Sequence, residues 1–281
     1  MPQPALPAPA TLISTLAACV LLAACRAPAD PEALAAQTHP LPGGRRLVME
    51  VGSATLRITQ AEDSAVHLEG TLMQPDRAHL EISGQADELT IRVVDRTGGD
   101  PQAALADLIV QAPAGAHITV EAFAGQITVH DWQGTLHATS VTGSIEVERV
   151  QGELWLRAPR GDIRAVGCAG EVHLVGEHGT LSLENCSGQL AATSIMGTLR
   201  YSGTPDAGDE VLLEVDHGPV ELRLGAGSNA AVQISTTSGR VTCSVPGMAG
   251  TFDACSAALG SGAGRLAIRT VSGAVTITPL F

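Results

Sequence analysis

Glycine occurs at positions 125, 134, 143, 152, 161, 170, 179, 188 and 197, nine times at an unbroken spacing of nine residues. A fixed internal period constrains a fold more than any local pattern, because each repeat buries its apolar face only against its neighbours. Two residues after the glycines stand Ile127, Leu136, Ile145, Leu154, Ile163, Val172, Leu181, Leu190 and Leu199, all apolar. Four after come Val129, Ala138, Val147, Leu156, Ala165, Leu174, Leu183, Ala192 and Tyr201, with mostly polar residues between. That alternation is a half-buried strand. Two before the glycines a third set reads Phe123, Trp132, Val141, Val150, Pro159, Cys168, Glu177, Cys186 and Ile195, apolar except at Glu177. The chain is therefore expected to point inward three times in nine residues and to turn at glycine, which accepts positive φ. If Glu177 follows the pattern, either its turn opens outward or a partner such as Arg160 answers the carboxylate.

Alternate repeats resemble each other, as in Thr139–Gly143 and Thr193–Gly197. The expected fold class is all-β: a single-stranded β-solenoid with rungs of about eighteen residues, two nine-residue repeats each, stacked at about 4.8 Å. Gly218, Gly239 and Gly273 continue one side at spacings of 21, 21 and 34, read as loops between rungs. Upstream, residues 47–51, 54–59, 65–68, 79–83, 88–94 and 108–112 read as strands. This block is expected to form an irregular β cap over the first rung, and the stretch 246–264 to shield the other end, since bare strand edges template aggregation.

The start of the chain reads differently. Thr11 to Ala24 is apolar and too short for a transmembrane helix but suits a secretory signal, although no Lys or Arg precedes it. Leu22-Ala23-Ala24-Cys25 resembles the lipobox of bacterial lipoproteins, which implies acylation of Cys25 and removal of what precedes it. Leu16-Ala17-Ala18-Cys19 matches the same pattern behind a shorter apolar run. Arg26 rather than Asp after the cysteine suggests the outer membrane where a cell has two. The expected organisation is a signal peptide at 1–24, a flexible Pro- and Ala-rich tether at 25–44, and one domain at 45–281: cap strands 45–122, regular repeats 123–203, looped repeats 204–281.

The repeats resemble the bacterial β-strand-repeat family known as "putative adhesins", a domain of unknown function. The resemblance covers residues 45–281. It rests on Val110-Gln111-Ala112-Pro113-Ala114-Gly115, on the Gly-x-Ile/Val/Leu-x-Val units, on Thr-Thr-Ser-Gly-Arg-Val at 236–241 and on Thr-Val-Ser-Gly-Ala-Val-Thr-Ile at 270–277. It implies an extracytoplasmic, right-handed β-helix-like fold without established catalytic residues, with some relatives linked to envelope-stress signalling.

Chemistry is sparse. Lys and Arg number 16 against 29 acids, a net charge of −13, which argues against nucleic acid. Only Asp162 directly follows a repeat glycine, so the turns lack the ligands of a calcium roll, and the period of nine excludes a hexapeptide helix. No cofactor, metal or catalytic residue is expected. An eighteen-residue register would place His137, Glu153, Trp155, Glu171 and His173 on one exposed face, where imidazole and carboxylate suit Zn²⁺ and Trp suits a sugar ring, or which is simply solvated sheet. His178 and His217 read as turn residues. Cys168 and Cys186 occupy the same inward position eighteen residues apart, and Cys243 and Cys255 lie close in sequence. Each couple is a candidate disulfide, and all four could equally remain buried thiols.

The expected function is a non-catalytic envelope lipoprotein, held on the membrane by lipid, presenting a rigid surface to an envelope protein or glycan for adhesion, scaffolding or stress sensing. The alternative is a glycan-cleaving β-helix enzyme, which requires a concave acidic groove with two carboxylates about 5–9 Å apart.

Overall fold

The structure is a computed structural model that describes residues 30–41, 46–85, 87–96, 105–245, 250–252 and 254–280. Cys25, the signal segment and the first residues of the tether lie outside the described residues. Every regular element among the described residues is a β-strand, and all belong to one hydrogen-bonded sheet.

In the middle run β7 (His117–Ser140), β8 (Ser144–Arg160), β9 (Ile163–Val166), β10 (Ala169–Glu184) and β11 (Ser187–Gly203). They pair in parallel with a constant offset: Leu136 opposite Leu154, Gly152 opposite Gly170, Leu181 opposite Leu199. Each partner is eighteen residues further on. The residues two and four after each repeat glycine are all buried, from Ile127 and Val129 to Leu199 and Tyr201. At about 1.5–3 kcal/mol per fully buried large apolar side chain, these columns supply the main driving force for stacking.

The third inward position differs from the sequence expectation. Trp132, Val150, Cys168 and Cys186 point inward, but at the other corner the inward residue is one earlier, in Ser140, Ala158, Gly176 and Ser194. The cause is local. Asp131, Arg149, Gly167 and Asn185, each eighteen residues apart, have φ of 51°, 54°, 60° and 52°. A left-handed residue there shifts the alternation by one, as a β-bulge does, and turns the following side chain into the core. The opposite corner keeps strict alternation, so Val141, Pro159, Glu177 and Ile195 turn outward. Glu177 is therefore not a buried acid, and Arg157 rather than Arg160 answers it, at 3.4 Å.

Close approach fixes the glycines. A Cβ on Gly161 would lie 1.9 Å from the carbonyl oxygen of Gly143, and one on Gly197 2.3 Å from that of Gly179. The column continues Gly218 on Gly197, Gly273 on Gly218 and Gly239 on Gly273. Its last members are out of sequence order, which corrects the reading of the late spacings as simple loops. The strands concerned are β12 (Glu210–His217), β13 (Val220–Gly225), β14 (Ala230–Thr236), β15 (Arg240–Cys243), β16 (Gly250–Phe252), β17 (Ala254–Ser272) and β18 (Ala274–Leu280). Residues 265–272 of β17 lie between β12 and β14, and β18 lies between β13 and β15. Beyond them, β16 runs antiparallel to β15, and residues 254–258 run back along β14, with Ala231 opposite Ala258 and Ser235 opposite Ala254.

The other end uses the same device in reverse. β2 (Arg46–Ala61) pairs with β7 on one side and with β5 (Glu88–Asp95) and β6 (Leu105–Pro113) on the other. β3 (Ala65–Leu72) and β4 (Ala78–Gln85) lie antiparallel on β6 and β5. β2 is thus the strand beside the regular repeats, with the covering strands two layers out. An antiparallel cover satisfies donors and acceptors that a last parallel strand would leave bare.

The tether expectation is also corrected. Glu32–Pro40 is a strand, β1, antiparallel to β3, with Leu41 buried behind it. Its sequence carries little strand propensity, and the unpaired edge of β3 imposes the conformation.

Candidate functional site

The parallel ladder of β7, β8, β10 and β11 sets the candidate face. Because pairing is in register, His137, Trp155, His173 and Ala191 stand in one outward column, and Thr135, Glu153, Glu171 and Gln189 in the column two residues before it. The five residues singled out from the sequence lie together on one exposed surface. The Trp155 and His173 rings are stacked, with centroids 4.0 Å apart and planes within 10°, and His137 meets Trp155 edge-on at 6.3 Å. Two carboxylates hold the rings upright: Trp155 Nε1 donates to Glu153 Oε1 at 3.0 Å, and His173 Nε2 lies 2.8 Å from Glu171 Oε1. His137 Nε2 is 4.0 Å from Glu153. Trp155 remains 43% exposed.

This geometry limits the chemistry. His137 and His173 are two rungs apart, about 9.6 Å at twice the strand spacing, too far to share an ion bound at about 2.0–2.1 Å. Among the described residues, no group of three or more His, Cys, Asp or Glu is placed to hold a metal ion. One face of the Trp155 indole is covered by His173, so a sugar ring has no access to that face. The edges of the rings and the carboxylates between them are what the surface offers.

A second feature answers the requirement of the glycan-cleaving alternative. A groove of about 840 Å³ runs over Gly52, Phe123 and Val141, rimmed by Glu50, Asp95 and Glu121. Gly52 lacks the side chain that Phe123 supplies on the neighbouring rung, which opens the notch. Glu50 and Glu121 are register partners, side by side along the stack rather than facing across a bond. The carboxylate of Glu50 is clamped by Arg92 at 2.8 Å and that of Asp95 lies 3.1 Å from Arg77. Cleavage needs one free carboxyl on each side of the scissile bond.

His178 lies at an exposed corner. His217 does too, but its Nδ1 lies 2.7 Å from Ser272 Oγ, a contact between residues 55 apart that the out-of-order rung creates. Elsewhere the outer columns are ion-pair ladders. Arg149 lies within 2.6 Å of Asp131 and holds that carboxyl below the usual carboxylate range. Arg164 bridges Glu146 and Glu184 at 2.8 and 2.9 Å and depresses Glu184 likewise. Such exposed, solvent-screened pairs contribute little to stability.

The four described cysteines carry free thiols. Cys168 and Cys186 lie at matching positions on successive rungs inside the core, and Cys243 and Cys255 lie together at the C-terminal end.

A search of curated proteins finds no match for this chain. Among solved structures, it is similar to a "putative adhesin" from Bacteroides fragilis at 10% identity, over 89% of this chain and 99% of the other, with a TM-score of 0.39. It is also similar to a "putative cell adhesion protein" from Clostridium sporogenes (9%, 89% and 100%, 0.28). A third is a "putative lipid binding protein" from Parabacteroides distasonis (8%, 89% and 97%, 0.30). At these scores the likenesses carry no argument about function. The Toastrack DUF4097 family pattern matches residues 45–278, and the chain belongs to that family.

Proposed function

We propose that this protein is an exported, non-catalytic lipoprotein, anchored through Cys25, whose β-solenoid of eighteen-residue rungs presents a rigid face for adhesion-type contact with an envelope protein. The observation that carries this reading is the His137–Trp155–His173 stack, an exposed aromatic column held upright by Glu153 and Glu171 on an in-register sheet. A preorganised aromatic group costs little side-chain entropy to bind, and interface hot spots are enriched in Trp. The closed indole face favours a protein over a glycan. The position of β1 supports a short anchor: residues 26–31 alone separate Cys25 from Glu32, a reach of about 20 Å at full extension. The N-terminal end would then sit near the bilayer and the face along the stack would be turned sideways to it.

Cys25→Ser is expected to move the protein from the membrane to the soluble fraction. Titration of that soluble chain onto envelope vesicles with and without protease stripping tests the contact. Trp155→Ala should weaken binding by at least tenfold, and stripping should abolish it. Binding unchanged by Trp155→Ala, or release of new sugar ends from envelope glycan, would overturn the reading.

A further inference from the structure

We propose that Cys243 and Cys255 close a disulfide that staples the C-terminal covering strand to the body of the stack, while Cys168 and Cys186 remain thiols. Cys243 ends the inward-facing half of β15 and is buried, and Cys255 lies opposite Ile234 in the strand that covers β14. Both project into the same end of the core, where Cys255 is half-buried and packs against the buried cluster that contains Cys243. The two thiols are near enough to perturb one another. Burial, with Cys255 beside it, pushes the Cys243 thiol up to about 11. Cys255 is the more accessible of the two and is the one to react first.

The interior pair is enclosed where Cys255 is not. Cys168 and Cys186 are 1% and 5% exposed, and their sulfurs are aimed at carbonyl oxygens, Cys168 at Val166 O (3.6 Å) and Cys186 at Ala165 O (3.4 Å). Stacking on adjacent parallel strands also leaves their Cβ atoms further apart than a disulfide prefers. The two thiols are driven in opposite directions, Cys168 down by its neighbour Cys186 and Cys186 up by Cys168 and burial, so what keeps an oxidant from this pair is its enclosure in the core.

The reaction requires a disulfide oxidant such as oxidised glutathione. The Cys255 thiolate attacks one sulfur of that disulfide and releases a glutathione thiolate. The Cys243 thiolate then attacks the Cys255 sulfur and releases the second. Two protein thiols are oxidised, two protons leave, and one glutathione disulfide is reduced to two thiols.

The test uses the full chain with Cys19 and Cys25 replaced by serine, folded and incubated with oxidised glutathione, then mapped without reduction. The expected result is a single linkage joining Cys243 to Cys255, two thiols that alkylate only on unfolding, and a Tm about 5–10 °C above that of the reduced protein. Cys255→Ser should abolish the difference in Tm. Four free thiols, a Cys168–Cys186 linkage, or a linkage without a rise in Tm would overturn the proposal. Formation in the cell rests on the export proposed above. If the linkage forms in vitro but protein isolated from cells has all four thiols free, the export reading fails and the disulfide chemistry stands.

Discussion

Gly161→Ala is expected to destabilise the protein by about 3–5 kcal/mol, a fall in Tm of roughly 6–20 °C for a domain of this size. The new Cβ would meet the carbonyl oxygen of Gly143 at 1.9 Å, a backbone atom fixed by the ladder, so the rungs must part locally. Gly161 does not occupy the left-handed region, so conformational strain adds little and the loss reports the spacing of the stack. Gly115→Ala is the control. Its φ is +76° but nothing lies within 4 Å of the added methyl, so about 1–2 kcal/mol is expected from backbone conformation alone. Thermal melts of the two variants should differ accordingly, and equal losses would contradict the close-packed glycine column.

A chain ending after Gly262 is expected to lose the fold of everything beyond β13, not only its last strands. In a stack laid down in sequence order, such a truncation would remove one terminal rung. Here residues 265–280 form an interior rung, and their removal takes away Leu266, Ile268, Val275 and Ile277, all fully buried between β12–β13 and β14–β15. At about 1.5–3 kcal/mol each, roughly 6–12 kcal/mol of burial is lost, comparable with the whole stability of a typical domain. Limited proteolysis should trim the truncated protein back to a core ending near Gly225. Survival of an intact fragment reaching residue 243 would argue for stacking in sequence order.

The parts of this fold that the sequence made legible are those governed by nearest-neighbour stacking. The nine-residue glycine period and the columns starting at Ile127 and Val129 state the strand direction, the eighteen-residue offset and the inward side chains. The candidate face followed from the same register. The third inward position departs from the repeat pattern because Asp131, Arg149, Gly167 and Asn185 adopt left-handed φ; three of these four are residue types that favour it, a signal that stands outside the glycine column. The order of the last rungs was hidden for another reason. Ala254 to Gly264 is rich in Ala, Ser and Gly and reads as a loop, yet part of it is an edge strand held in place by β14. β1 was missed in the same way. The His217–Ser272 contact and the pairs that Glu50 makes with Arg92 and with Glu121 in the groove join residues 42 to 71 positions apart, and only the exchanged rung order brings them together.

The stack that carries the functional proposal can be tested through the His173 ring protons in solution. With the imidazole lying 4.0 Å beneath the Trp155 indole and within 10° of parallel, the aromatic ring current should move those protons upfield, and Trp155→Ala should return them to ordinary histidine positions while the fold is retained. An ordinary His173 spectrum in the unmodified protein, unaffected by Trp155→Ala, would contradict both the eighteen-residue register and the exposed face built on it.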